Sequence, residues 1–260
     1  MPLLSNIRRL SLEATCGHRV VFHHVPKCGG TSIERALRLR YALSYDTFAL
    51  NHMYSAIEAL NPNCSLAEAD DYTAHFREIQ LLSLLFKDVR CIAGHVYFSE
   101  VAHDLFKDRY HFVTTLREPV AFFRSFYGQL VTAKEPRWQF HEGFEAFLEC
   151  DLAPLVGRFY LLYFAPPETR DALVTGEDIE RAKRNLAKCR IVGFVEDLPD
   201  FERRLRDLLG VRLKIGHANK SKISNNSEQV ILTPAIRRKI EDLSAVNFEL
   251  YEFARQELRR

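Results

Sequence analysis

The stretch Val21-Phe22-His23-His24-Val25-Pro26-Lys27-Cys28-Gly29-Gly30-Thr31-Ser32 decides how this chain folds. An apolar run of strand type ends at Pro26. A lysine, two glycines and two hydroxyl residues follow, and Ile33, Ala36 and Leu37 then open a helical pattern. Strand, glycine turn and helix N-terminus in succession make an anion site. The glycines let backbone N–H groups approach a ligand closely, and the first helical turn offers unpaired donors and the positive end of a dipole. Lys27 adds a full charge, and Thr31 and Ser32 add hydroxyl donors. The expected ligand is a phosphate or a similar tetrahedral anion.

The familiar phosphate loop carries its lysine after the glycines. Lys27 precedes Gly29 and Gly30, so this loop is a different one. The run Cys91-Ile92-Ala93-Gly94 delivers His95 to a strand end, and His111 to Leu116 delivers Arg117. Enzymes of ATP and GTP usually place an aspartate at such a tip to hold magnesium. Cationic tips instead suit an anionic donor whose chemistry needs no metal. Arg117-Glu118-Pro119 leads into Val120, Phe122, Phe123, Phe126 and Tyr127. Pro119 fits the first helical position, where its missing N–H costs nothing. Arg117 then grips a phosphate with two parallel hydrogen bonds, and Ser125, two turns into the helix, adds a hydroxyl. Two separate anion elements point to a ligand with phosphates at both ends.

Val25 to Ser32 resembles the 5′-phosphosulfate loop of sulfotransferases that use 3′-phosphoadenosine 5′-phosphosulfate (PAPS). Arg117-Glu118-Pro119 through Arg124-Ser125-Phe126-Tyr127 resembles their 3′-phosphate motif. Gly94-His95-Val96-Tyr97-Phe98 is similar to the catalytic-histidine segment of the heparan sulfate 2-O-sulfotransferase branch. Val192 to Glu196 and Asn219-Lys220-Ser221-Lys222 resemble weaker landmarks. The resemblance implies a P-loop-like sulfotransferase fold and transfer of a sulfuryl group from PAPS to an acceptor hydroxyl on a carbohydrate. The product is 3′-phosphoadenosine 5′-phosphate (PAP), and no metal takes part. Lys27 would stabilise the bridging oxygen of the donor. The loop Cys28, Gly29, Gly30, Thr31 and Ser32 would hold the 5′-phosphate. Arg117 and Ser125 would hold the 3′-phosphate, Ser221 and Lys222 would close over the nucleotide, and His95 would take the acceptor proton.

The sequence departs from that branch at Ala93, where some relatives carry a second histidine. His52, His103 and Glu100 stand as substitute bases. His23 and His24 alternate across a strand and receive no role, and Arg137 and Trp138 are candidates for an acceptor groove. Cys28 reads as a small residue in a tight loop rather than as a thiol nucleophile. Two other readings stay open: a metal-dependent nucleotide kinase-like phosphotransferase and a catalytically silent nucleotide-binding module.

A chain of 260 residues, 47% hydrophobic and 27% charged, suits one soluble α/β domain over residues 1–260. The net charge of +2 gives no reason to expect nucleic acid. Residues 1 to 19 include Arg8, Arg9, Glu13 and Arg19 and lack an apolar core, so no signal peptide or membrane anchor is expected and the location should be cytoplasmic. The six cysteines show no metal or disulfide spacing. Helices are expected from Thr31 to Arg40, Phe76 to Phe86, 119 to 134, around Phe144 to Leu148, Ile179 to Lys188, from Pro199, and as one long element after Thr233-Pro234. Strands are expected at 21–25, 91–94, 111–116 and 191–195. Residues 41–75 should hold short helices and loops over the site. The fold class is α/β, a mostly parallel sheet with helices on both faces and the site at the carboxyl ends of its strands.

Overall fold

The computed structural model describes residues 17–48, 50–62, 66–134, 139–166, 173–216 and 231–259, the side chains of 50–52 and 66–71 excepted. Five strands form its sheet: β1 (Arg19–His23), β2 (Tyr45–Thr47), β3 (Cys91–Gly94), β4 (Tyr110–Leu116) and β5 (Ile191–Phe194). All pair in parallel, in the order β2-β3-β1-β4-β5. A parallel sheet is covered on both faces, so its strands read as continuous apolar runs. Val20, Val21, Phe22 and His23 are all fully buried for that reason.

Alternate side chains feed two cores. Val20, Phe22, Ala93, Val113 and Ile191 pack with α1 (Gly30–Arg40) and α10 (Leu198–Leu209). Helix α1 contributes Ile33, Ala36 and Leu37, and α10 contributes Phe201, Leu205 and Leu209, each one stripe of a 3.6-residue repeat. Gly193 lets α10 lie close, since a Cβ there would stand 2.3 Å from the Phe201 ring. Val21, Ile92, Phe112 and Val192 face the opposite core. Its helices include α3 (Leu66–Phe86), α4 (Glu100–Phe106), α5 (Pro119–Val131), the short α6 (Phe144–Glu149), α7 (Leu152–Gly157) and α8 (Phe159–Phe164), and α9 (Gly176–Lys188). Helix α2 (Leu50–Leu60) lies beside α3, and α11 (Pro234–Leu243) and α12 (Ala245–Glu257) complete the chain.

Several elements differ from the sequence reading, among them β1, which runs from Arg19 and ends at His23 rather than Val25, and α9, which starts at Gly176 rather than Ile179. Residues 41–75 hold the edge strand β2 and the first part of α3, which starts ten residues before Phe76. Tyr45-Asp46-Thr47 pairs only with β3 and has two exposed residues, so it lacks an apolar signature. Helix α5 stops at Val131, where Thr132 Oγ1 donates to the Gly128 carbonyl at 2.7 Å. The expected single C-terminal helix is two, broken at Ser244. The Leu243 carbonyl packs where a Cβ of Gly157 would stand, only 1.9 Å away. Asn247, fully buried, ties the next turn to Tyr160 N and the Val156 carbonyl.

The chain leaves β1 toward the β2 edge and leaves β4 toward β5, the opposite edge. Helices α1 and α5, which follow those strands, pack on opposite faces. A crevice therefore opens between the carboxyl ends of β1 and β4, the place where such sheets bind ligands. Among the described residues no helix is long and apolar enough to cross a membrane.

Candidate functional site

The loop from His24 to Gly29 crosses the mouth of this crevice. Cys28 N donates to the Val25 carbonyl at 3.2 Å, closing a turn. Lys27 and Gly29 both take left-handed backbone conformations, φ 62 and φ 75. For glycine this costs nothing, but for Lys27 it costs about 1–2 kcal/mol. Gly29 is the N-cap of α1 and makes no side-chain cap hydrogen bond, and the first turn holds no acid. Two threonines of β4 fix the loop from below. Thr114 Oγ1 donates to the His23 carbonyl and Thr115 Oγ1 to the Cys28 carbonyl, each at 2.8 Å.

The Lys27 ammonium is partly buried beside a like charge. Burial pulls its ammonium from 10.5 down to about 8, the Arg117 charge pulls the same way, and Cys28 opposes. Arg117 Nη1 donates to the Lys27 carbonyl at 3.3 Å, while its Nε is buried with no hydrogen-bond partner among the described residues. The Arg117 backbone is clamped by Tyr160, whose hydroxyl donates to the Arg117 carbonyl and accepts from Arg117 N. That hydroxyl also lies 3.8 Å from Cys28 Sγ. Lys27 and Arg117, read from the sequence as two separate anion elements, thus adjoin in one. Ser125 lies on the buried face of α5, and among the described residues no hydrogen bond joins it to Arg117. Thr31 is exposed and Ser32 partly so in the first turn of α1. Burial pushes the Cys28 thiol up to about 12, so it stays protonated and packs rather than reacts.

His95 stands one strand away. Its Nδ1 is 2.7 Å from the His24 carbonyl. A carbonyl only accepts, so Nδ1 carries the proton and Nε2 keeps its lone pair. Gly94 (φ 149) makes the turn, because a Cβ would meet Phe48 at 2.8 Å. Burial pulls His95 down to about 3, with the His24 and Arg77 charges adding to it and the bond to the His24 carbonyl opposing. The imidazole is therefore neutral across the physiological range, a base rather than an acid.

Three residues of the site escaped the sequence reading. The His24 ring lies against that of His95, tilted by 34° with centroids 4.2 Å apart, and its Nδ1 donates to Glu34 Oε1 at 2.9 Å. Helix α1 begins flush against this imidazole, since a Cβ on Gly30 would stand 1.9 Å from His24 Cδ2. Arg77, on α3, is 7% exposed, its Nε has no partner among the described residues, and its charge reaches His95 and Tyr163.

The substitute bases sit elsewhere. His103 packs on Phe98 and Phe112 and faces Asp104, and Glu100 is engaged by Lys188 and Asn185. His23 points into the core below the sheet and is bonded to the Val96 carbonyl. The carboxylates at the strand tips are engaged as well. Glu118 caps α5 through Ala121 N, and Glu196 accepts from Glu118 N and the Tyr251 hydroxyl. The side chain of His52, together with Arg137, Trp138, Lys220, Ser221 and Lys222, lies outside the described residues.

Two cations and a helix N-terminus therefore concentrate positive potential at the crevice, beside a neutral imidazole with a free lone pair. Such an arrangement is chemically able to hold a polyanion, to stabilise charge that develops on it and to take a proton from a hydroxyl. No family model matches the chain, and no curated protein matches it.

Proposed function

We propose that this chain is a PAPS-dependent sulfotransferase with the P-loop-like sulfotransferase fold, acting on a carbohydrate hydroxyl. The observation that carries this reading is the convergence of Lys27 and Arg117 on one loop, with the unprotonated Nε2 of His95 a strand away. The residues fit the donor. Arg117 Nε is a buried donor without a partner among the described residues, and the first turn of α1 behind Gly29 holds no acid.

PAPS, when bound, supplies the sulfuryl group and leaves as PAP. The backbone around Gly29 and Gly30, with Thr31 and Ser32, binds the 5′-phosphate at the α1 N-terminus. Lys27 would hold the bridging oxygen of the bound donor and supply the positive charge that offsets what develops there. Arg117 recognises the 3′-phosphate, with Ser125 behind it. His95 Nε2 accepts the acceptor's proton, and the negative charge of the donor raises its pKa from the low value of the free site. His24 and Glu34 hold the His95 ring in place.

Calorimetric titration with PAP, AMP and ATP in EDTA tests the reading. PAP should bind at least about tenfold tighter than AMP, a preference that Arg117→Ala removes. His95→Ala should bind PAP as the wild type does and transfer no sulfuryl group. Preference for ATP would favour phosphotransfer, and failure to bind PAP would sink the proposal.

A further inference from the structure

We infer that His18 and His111, at the amino ends of β1 and β4, form a binding site for one divalent transition-metal ion of the zinc class, remote from the anion loop and independent of the proposed transfer.

Val20 is the partner of His111 across the β1–β4 pair, and His18 lies two residues before Val20, so the two histidines are diagonal neighbours at one end of the sheet. Both stand on fixed backbone. The His18 carbonyl accepts from the Tyr41 hydroxyl at 3.0 Å, and His111 follows Tyr110, whose hydroxyl donates to the Val89 carbonyl at 3.0 Å. His18 Nδ1 faces His111 Nε2 at 3.4 Å. That spacing is long for a hydrogen bond, whose N–H donors ordinarily sit about 2.7–3.2 Å from their acceptors. It matches the edge of a metal tetrahedron instead. Zinc holds imidazole nitrogen at about 2.0–2.1 Å, which puts two such ligands about 3.3–3.4 Å apart. The ring centroids are 5.6 Å apart, with planes inclined by 34°. An ion lying in both ring planes would set them about 5.3 Å apart, so the site closes with a shift of about 0.3 Å.

Burial holds His111 below its ordinary pKa, and the His18 and Arg190 charges pull the same way, which keeps its lone pair for a metal rather than a proton. Arg190 also repels a cation, but it is exposed, and solvent screens its charge at that edge. Among the described residues no third histidine, cysteine or carboxylate completes a cluster. Water therefore fills the other positions, and imidazole ligands select zinc, copper or nickel over calcium or magnesium. Two protein ligands make an exchangeable site. Strand β1 advances about 3.3 Å per residue, so the ion lies about 15 Å or more from the anion loop. Its effect is to clip the start of β1 to β4 and to stabilise the folded chain by mass action.

Titration calorimetry of zinc chloride into the full chain, stripped with EDTA and kept reduced, tests the site in wild type, His18→Gln, His111→Gln and Cys16→Ser. Each histidine variant should bind zinc about tenfold or more weakly than the wild type. Zinc should raise the Tm of the wild type and leave unchanged that of His18→Gln, the variant at an exposed position. In imidazole NMR the His18 and His111 signals should move together, before those of the other histidines. PAP affinity should be the same with and without zinc. Undiminished zinc binding in His18→Gln overturns the inference. So does loss of binding in Cys16→Ser alone, which would make it a thiol site. A PAP affinity that depends on zinc overturns it too, by putting the ion at the anion loop.

Discussion

Ligand binding to this site should draw a proton from solution, and Lys27 sets the amount. In the free protein its ammonium is held down to about 8 by burial and by Arg117. A phosphate or phosphosulfate group seated on the loop supplies the missing counter-charge and restores the pKa to its ordinary range. At pH 8 about half of the Lys27 side chains are neutral before binding, so the uptake is about 0.5 proton. It falls to about 0.1 at pH 7 and rises to about 0.9 at pH 9. Affinity should fall about tenfold per pH unit above 8. The effect on stability has a definite sign. The unfolded chain keeps the proton up to 10.5, so between pH 8 and 10.5 it binds more protons than the folded chain. The contribution of Lys27 to stability therefore grows with pH across that window, by roughly 3 kcal/mol in all. Tyr45 and Tyr110, both pushed up to about 12, work the other way, so unfolding curves alone mix opposite effects. Calorimetry of PAP binding in buffers of different ionisation enthalpy isolates the uptake, with Lys27→Met as the control. A wild-type slope near zero at pH 8, or the same slope in Lys27→Met, would refute the reasoning.

Gly30→Ala drives a methyl into the His24 ring, and the overpacking should cost about 1–3 kcal/mol in urea unfolding and weaken PAP binding. An unchanged midpoint would show that the ring moves freely. Tyr160→Phe strips the Arg117 carbonyl and N–H of their shared buried partner. Stability should drop by about 1–3 kcal/mol and PAP affinity with it, whereas unaltered affinity would mean that Tyr160 does not position Arg117. Imidazole nitrogen NMR should find His95 as the Nδ1–H tautomer with no titration above pH ~5 in the free protein. An inflection near 6.5 would contradict the burial argument. Glu34→Ala should disturb those His95 signals, and Glu34→Gln, which keeps an acceptor for His24, should restore them.

Much of the framework was legible because its causes are local. The β1 run, the glycine turn and the Ile33-Ala36-Leu37 spacing follow one another within twenty residues, and β3, β4 and β5 announce themselves as short apolar runs. What escaped notice depends on packing between distant segments. Strand β2 is too polar to carry a period and exists because β3 offers it an edge. The break at Ser244 depends on Gly157, nearly ninety residues earlier, admitting the Leu243 carbonyl. In the site, Lys27, Arg117 and His95 were legible as strand tips. His24 gave no signal apart from adjacency to the loop, since only the tertiary approach of Gly94 and His95 turns it into a partner. Arg77, on a helix whose first half looked like loop, gave none.

The threonine pair of β4 bears on when the loop becomes competent. Thr114 and Thr115 reach carbonyls 91 and 87 residues earlier in the chain. A nascent chain that has made β1 and α1 holds the lysine and the glycines but not the hydroxyls that fix the loop beneath them. Loop geometry therefore waits on closure of a long chain segment, a late and non-local event. A nucleotide present during refolding has no formed cradle to seize early on. It should leave the folding rate constant unchanged and act only afterwards, by slowing the unfolding of the finished protein.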